Sequence, residues 1–163
     1  VVRANKFVAE KLGCGVKGVD IPVVGGHAGT TILPLFSQDA AGRRIPAADI
    51  ADMDKKVQDA GTVVVEAKGG KGSATLSMAY AGARLGAAAV RGLAGEAGQV
   101  ECAYVKSGVC PGLPFFASKV RFGRGGVEEV LGMGALSPHE ERRLAELTPT
   151  LKEEIEAGLS YAA

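Results

Sequence analysis

His27 stands in the run Val23-Val24-Gly25-Gly26-His27-Ala28-Gly29-Thr30-Thr31, directly behind the β-branched segment Val19-Asp20-Ile21-Pro22. A histidine side chain has an unperturbed pKa of about 6.5 and so gives or takes a proton near neutrality. The flanking glycines let the backbone turn sharply and let another molecule come close. A proton-transfer group in an open collar at a strand end is what a general acid/base requires. Taken alone, the same collar also suits a hydrogen-bonded turn histidine in a glycine-rich hairpin.

Other groups with chemical potential point elsewhere. The stretch Lys68-Gly69-Gly70-Lys71-Gly72-Ser73-Ala74-Thr75 invites comparison with a phosphate-binding loop. The comparison fails, because Val65 occupies the position where that motif needs a glycine and Gly72 the one where it needs Ser or Thr. The His27 collar likewise lacks the Gly-x-Gly-x-x-Gly register of a dinucleotide fold. Asp52 with Asp54, and Glu153 with Glu154, point apart on helices and are expected on solvated faces. His139 falls in the first polar turn of a helix and is expected to be solvated as well. Cys14, Cys102 and Cys110 form an odd trio without paired metal-ligand spacing and read as reduced thiols of an intracellular protein.

These groups must be positioned by a chain of 163 residues, enough for one domain that hides roughly 70% of its unfolded surface. Hydrophobic residues at 47% and charged residues at 23% are ordinary for a soluble globular protein. With 19 Lys+Arg against 18 Asp+Glu, no field for a polyanion is implied, which argues against nucleic-acid binding. No charge-free stretch of about 18 apolar residues exists, so a membrane-spanning helix is excluded. Arg3, Lys6, Glu10 and Lys11 interrupt any apolar core at the start, which therefore does not read as a signal peptide. The opening Val1-Val2-Arg3 starts inside an amphipathic pattern, as if cut from something longer.

The apolar spacing predicts a helix over Val1–Leu12 stopped by Gly13, then strands over Val19–Val24 and Thr31–Phe36. Pro22 and Pro34 should keep both strands from central positions. A helix follows from Pro46 to about Ala67, then an Ala/Gly-rich helix from Leu76 to the glycines at 92–95, suited to close contact with another backbone. Alternation predicts strands at Val100–Tyr104 and Phe116–Phe122 and a short segment after the turn at 123–126. Ser137, Pro138 and Glu140 form a capping box that opens the last helix, which Pro149 should kink or split. Strands in neighbouring pairs favour antiparallel pairing and an α+β architecture, and no Rossmann domain is expected in this chain.

Three segments resemble one family in order and spacing. Val1-Val2-Arg3-Ala4-Asn5-Lys6-Phe7-Val8-Ala9-Glu10 resembles the helix opening the substrate domain of NAD-dependent malate dehydrogenases, in the mitochondrial-like branch of the lactate/malate dehydrogenase family. Pro22-Val23-Val24-Gly25-Gly26-His27-Ala28-Gly29 is similar to their catalytic histidine loop. Gly72-Ser73-Ala74-Thr75-Leu76-Ser77-Met78-Ala79 is similar to the segment facing the nicotinamide. The resemblance covers essentially the whole chain, residues 1–163, as a substrate-binding C-terminal domain whose N-terminal dinucleotide-binding domain lies outside it.

The resemblance implies a residue-by-residue assignment. His27 would be the catalytic acid/base; Arg3 would hold the carboxylate beside the reacting carbon through a bidentate fork. Ser73 and Ala74 would contact substrate, Met78 the cofactor NAD, and Asn5 would be structural. The family's supporting aspartate precedes the Val-Val-Arg triplet, one position before this chain begins. Malate/oxaloacetate would be the substrate pair, a homodimer the assembly and mitochondria the favoured compartment, with bacterial cytoplasm, glycosome or glyoxysome as alternatives. Without its cofactor-binding half the chain would be inactive. A lactate or other 2-hydroxyacid dehydrogenase domain, or a non-catalytic dimerisation module, are the competing readings.

Overall fold

The computed structural model describes residues 1–162. Four helices surround a five-stranded sheet: α1 (Val2–Leu12), β1 (Val23–Gly25), β2 (Ile32–Pro34), α2 (Ile50–Ala67), α3 (Thr75–Leu93), β3 (Gln99–Lys106), β4 (Phe115–Gly123), β5 (Gly126–Gly132) and α4 (Pro138–Ala162). All pairings are antiparallel, as the neighbouring-pair pattern predicts. The sheet order is β2-β1-β4-β3, with β5 also on β4. Since β3 takes one full edge of β4, β1 at Ala117 and β5 at residues 119–123 share the other. The α+β expectation holds.

The short β1/β2 pair is buried on both faces, because each strand sends alternate side chains into different cores. Ile32, together with Val8, Ile21, Met53 and Val57, packs under α1 and α2. Val24 and Leu33, with Phe116, Leu147, Leu151 and Ile155, pack under α4. α1 ends as predicted, with Gly13 in the left-handed region at φ 62°. The capping box also forms: Glu140 N–H donates to Ser137 Oγ at 3.3 Å and Ser137 N–H to Glu140 Oε2 at 2.7 Å.

Several expectations are corrected. The segment Val19–Val24 is not one strand: only Val23–Gly25 pairs in the ladder, and the preceding backbone is satisfied by side chains instead. Asn5 Oδ1 accepts from Ile21 N–H at 2.8 Å in the interior, and Asp39 Oδ2 accepts from Asp20 N–H at 3.1 Å. The second strand likewise shrinks to Ile32–Pro34, followed by a 3-10 turn at Phe36–Gln38. β1 is not peripheral, since it lies between β2 and β4; Pro22 stands just outside the ladder and so costs it no donor. Of the two outcomes expected at Pro149, the split does not occur: α4 runs Pro138–Ala162 through it. The last two corrections concern charges: Asp54 is buried and His139 is half-buried against it, as described next.

Candidate active site

His27 follows β1 on an exposed bend that the 3-10 turn Gly29–Thr31 closes. The collar is compact because its glycines touch Thr31. Gly25 has φ +95°, and a Cβ there would lie 2.2 Å from the Thr31 carbonyl oxygen; a Cβ on Gly26 would lie 2.2 Å from Thr31 Oγ1. No L-side chain fits either place without moving the buried Thr31. Gly26 N–H donates to Thr31 O at 2.8 Å, and Thr31 Oγ1 donates to Ala28 O at 2.6 Å. The histidine is therefore exposed, but its backbone is held from within.

His27 borders a cleft of about 230 Å³. Arg3 from α1 and Val57 from α2 form one side, and Val23, Ala103 and Ala117 supply a strand-built floor. Arg3 is half-buried, and burial holds its guanidinium below the usual range. Its fork lies over Gly61 of α2, where a Cβ would stand in ordinary contact with Arg3 Nη1 at 3.6 Å. Among the described residues Arg3 makes no ion pair, although Lys6, Lys11, Arg84, Arg121 and Arg143 all do. A partly desolvated cation left without an anion is a receptor for one, and a planar fork suits a carboxylate. The cleft thus pairs an anion anchor with a proton-transfer group on an apolar floor.

The structure brings Arg3 and His27 together and leaves the other sequence-derived candidates apart. Ser73, Ala74 and Met78 lie in the loop before α3 and on its first turn, outside this cleft, with Met78 66% exposed. Asn5 is structural through its bond to Ile21. Cys102 lines the cleft, which its spacing did not announce, and burial pushes its thiol upward. Alternation along β3 could have placed it, since Cys102 and Tyr104 share a face.

Sequence reasoning missed a second polar cluster behind the loop. Asp54, expected in solvent, is 3% exposed. Its Oδ2 lies 2.6 Å from His139 Nε2 and 3.6 Å from Arg143 Nε, both on α4. Burial raises the Asp54 carboxyl pKa, with His139 and Arg143 pulling the other way. Helical spacing places residues on a face of their own helix, but only the tertiary fold brings positions 54 and 139 together.

Fold and cleft together define an α+β domain in which a half-buried arginine and an exposed histidine border one cleft. Residues 1–162 match the lactate/malate dehydrogenase, alpha/beta C-terminal domain, and the chain belongs to that family. It is 54% identical over 162 residues to a mitochondrial malate dehydrogenase of Eucalyptus gunnii, covering 99% of this chain and 47% of the relative. A glyoxysomal malate dehydrogenase of Citrullus lanatus is 53% identical over 161 residues, covering 99% and 45%. Among solved structures, the malate dehydrogenase of Salinibacter ruber superposes with a TM-score of 0.77 at 25% identity, covering 94% of this chain and 50% of that one. The chain spans about half the length of the curated relatives it matches.

Proposed function

We propose that this chain is the substrate domain of an NAD-dependent malate dehydrogenase, interconverting malate and oxaloacetate. The observation that carries the reading is the unpaired, half-buried Arg3 in one cleft with His27. Arg3 takes the carboxylate next to the hydroxyl-bearing carbon through two parallel hydrogen bonds. That anchorage sets the hydroxyl toward His27, whose ring nitrogen removes its proton during oxidation and returns it during reduction. Val23, Ala103 and Ala117 give the cleft an apolar stretch beside these two groups.

The dinucleotide itself does not fit this chain. Among the described residues the sheet is wholly antiparallel, so no parallel βα turn offers a cradle for a pyrophosphate, and 230 Å³ holds only a small acid. NAD would be held by a separate domain and, when bound, supplies the acceptor for hydride. Ser73, Ala74 and Met78 would complete the substrate and nicotinamide wall when that domain closes against α3. The exposed apolar residues of α3, including Leu76, Tyr80 and Val90, suit such burial and also a homodimer contact. Sedimentation of the protein decides the dimer: a single-chain mass at every concentration removes it. The mitochondrial and glyoxysomal relatives support an intracellular location, with the mitochondrion as the preferred compartment.

The test is His27→Asn, assayed for NAD-dependent malate oxidation with the dinucleotide-binding half supplied. Loss of general acid/base catalysis should lower kcat by about 10²–10⁴-fold while the thermal midpoint holds. Unchanged turnover overturns the role of His27. Equal turnover of lactate and malate by the wild type would move the reading to a broader 2-hydroxyacid dehydrogenase.

A further inference from the structure

The His27 loop is held by three consecutive carbonyls, and each has a different donor. Thr31 O accepts from Gly26 N–H inside the loop at 2.8 Å. Ile32 O accepts from Gln58 Nε2 of α2 at 3.0 Å. Thr30 O accepts from Arg143 Nη2 of α4 at 3.2 Å. The two helices thus both donate to the closing turn, and the second donor is a guanidinium with two carboxylate neighbours. Its Nη1 reaches Glu146 Oε2 at 2.6 Å, and its Nε lies 3.6 Å from Asp54 Oδ2, which His139 Nε2 shares at 2.6 Å.

The burial of this cluster calls for a reason beyond joining helices. Asp54 Oδ1 is buried without a partner, and a buried charge with an unfilled acceptor is costly. Hydrophobic side chains of similar volume would hold α2 to α4 at less cost. What they could not supply is a directional donor to Thr30 O. Thr30, Asp54, His139 and Arg143, together with Lys55, Gln58 and Asp59, line one cleft of about 300 Å³, which shares no lining residue with the His27–Arg3 cleft.

We propose that Arg143, oriented by Asp54, is a positioning residue for the His27 loop: it fixes Thr30 and through it the direction in which His27 meets the substrate. Asp54 aims the guanidinium, with His139 holding the carboxylate in turn. The proposal rests on the dehydrogenase reading for its catalytic consequence, but its structural content is measurable without turnover.

The experiment is amide hydrogen exchange on the wild type and on Arg143→Met, which keeps an apolar stem and removes the fork. Exchange at Gly26 and Thr31, whose N–H groups close the loop, should become about tenfold faster, the effect of losing one charge-assisted hydrogen bond. Exchange at Val120 and Arg121 of β4, which pairs there with β3 on one edge and β5 on the other, should stay within about twofold. Acceleration shared equally by loop and ladder means a general staple and overturns the proposal, as does an unaltered loop. Arg143→Lys carries the same comparison if the methionine variant fails to fold; it keeps the charge near Asp54 and should show a smaller acceleration confined to the loop. In the malate assay, Arg143→Met should lower kcat about tenfold with KM little changed, since carboxylate binding belongs to Arg3. A wild type without malate turnover would refute the dehydrogenase reading while leaving the exchange result to judge the loop clamp.

Discussion

At the scale of single residues, the role proposed for Arg3 asks for more than its charge. A lysine in its place would keep the positive charge and lose the planar fork that meets both oxygens of a carboxylate. Arg3→Lys is therefore expected to raise KM for malate by about 10- to 100-fold, the range for one lost hydrogen bond to a charged group. Steady-state kinetics with malate varied at saturating cofactor reads it, and a KM equal to the wild type would remove Arg3 from the substrate. Among residues, His27 stood out because glycines at positions 25, 26 and 29 around a histidine are themselves a local signal. Arg3 was singled out only through resemblance, since nothing in Val1-Val2-Arg3 shows that the start of α1 lies beside β1. Asp54 and His139 were misread for the complementary reason. Their pairing spans 85 positions, and polar residues at helical spacing look identical whether the face meets water or another helix. Glu140 was half legible: its capping bonds to Ser137 follow from local sequence, but its bonds to Ser37 N–H at 3.0 Å and Ser37 Oγ at 2.5 Å join α4 to the 3-10 turn that follows β2.

At the scale of elements, helices were read more faithfully than the two strands around the site. α1, α2, α3 and α4 each carry enough turns for a periodic stripe to emerge, and β3 and β4 are long enough to alternate. β1 and β2 have three residues each, buried on both faces, so no polar alternation marks their ends. α4 shows how a helix outlasts a local breaker. Pro149 is exposed, cannot donate to the carbonyl one turn back, and crowds the preceding turn. Thr148 Oγ1 donates to Leu144 O at 2.7 Å nearby, and Leu147, Leu151 and Ile155 bind the helix to the core on either side of the proline. Packing outweighs the break. Pro149→Ala should therefore stabilise the protein by about 1–3 kcal/mol, somewhat less than the full cost of an interior proline because the ordered helix has already relaxed around it. Urea denaturation measures it, and an equal or lower midpoint would show that the proline is accommodated without cost.

At the scale of the molecule, β1/β2 separates two hydrophobic clusters, one under α1 and α2 and the other under α4. Asp54 on α2 and His139 with Arg143 on α4 join those clusters beside the site, so the carboxyl couples pH to the stability of the whole fold. Burial raises the Asp54 pKa above its unfolded value, against the pull of His139 and Arg143 and with the push of Glu140. As pH rises through the ordinary carboxylate value of about 3.9, the unfolded chain gives up this proton while the folded chain still holds it. Asp54 then contributes a loss of stability that grows with pH until the folded carboxyl also ionises, and stays constant above. Asp54→Asn carries no such titration, and Glu140, His139 and Arg143 are common to both proteins. The stability of Asp54→Asn minus that of the wild type should therefore move in favour of the variant as pH rises from about 3.5 to about 6. Chemical denaturation at intervals across that range gives the difference directly. Parallel curves would mean that Asp54 titrates alike in the folded and unfolded chains. A slope of opposite sign would mean that the pairing with His139 and Arg143 outweighs burial, making the cluster a net stabiliser of the ionised carboxylate.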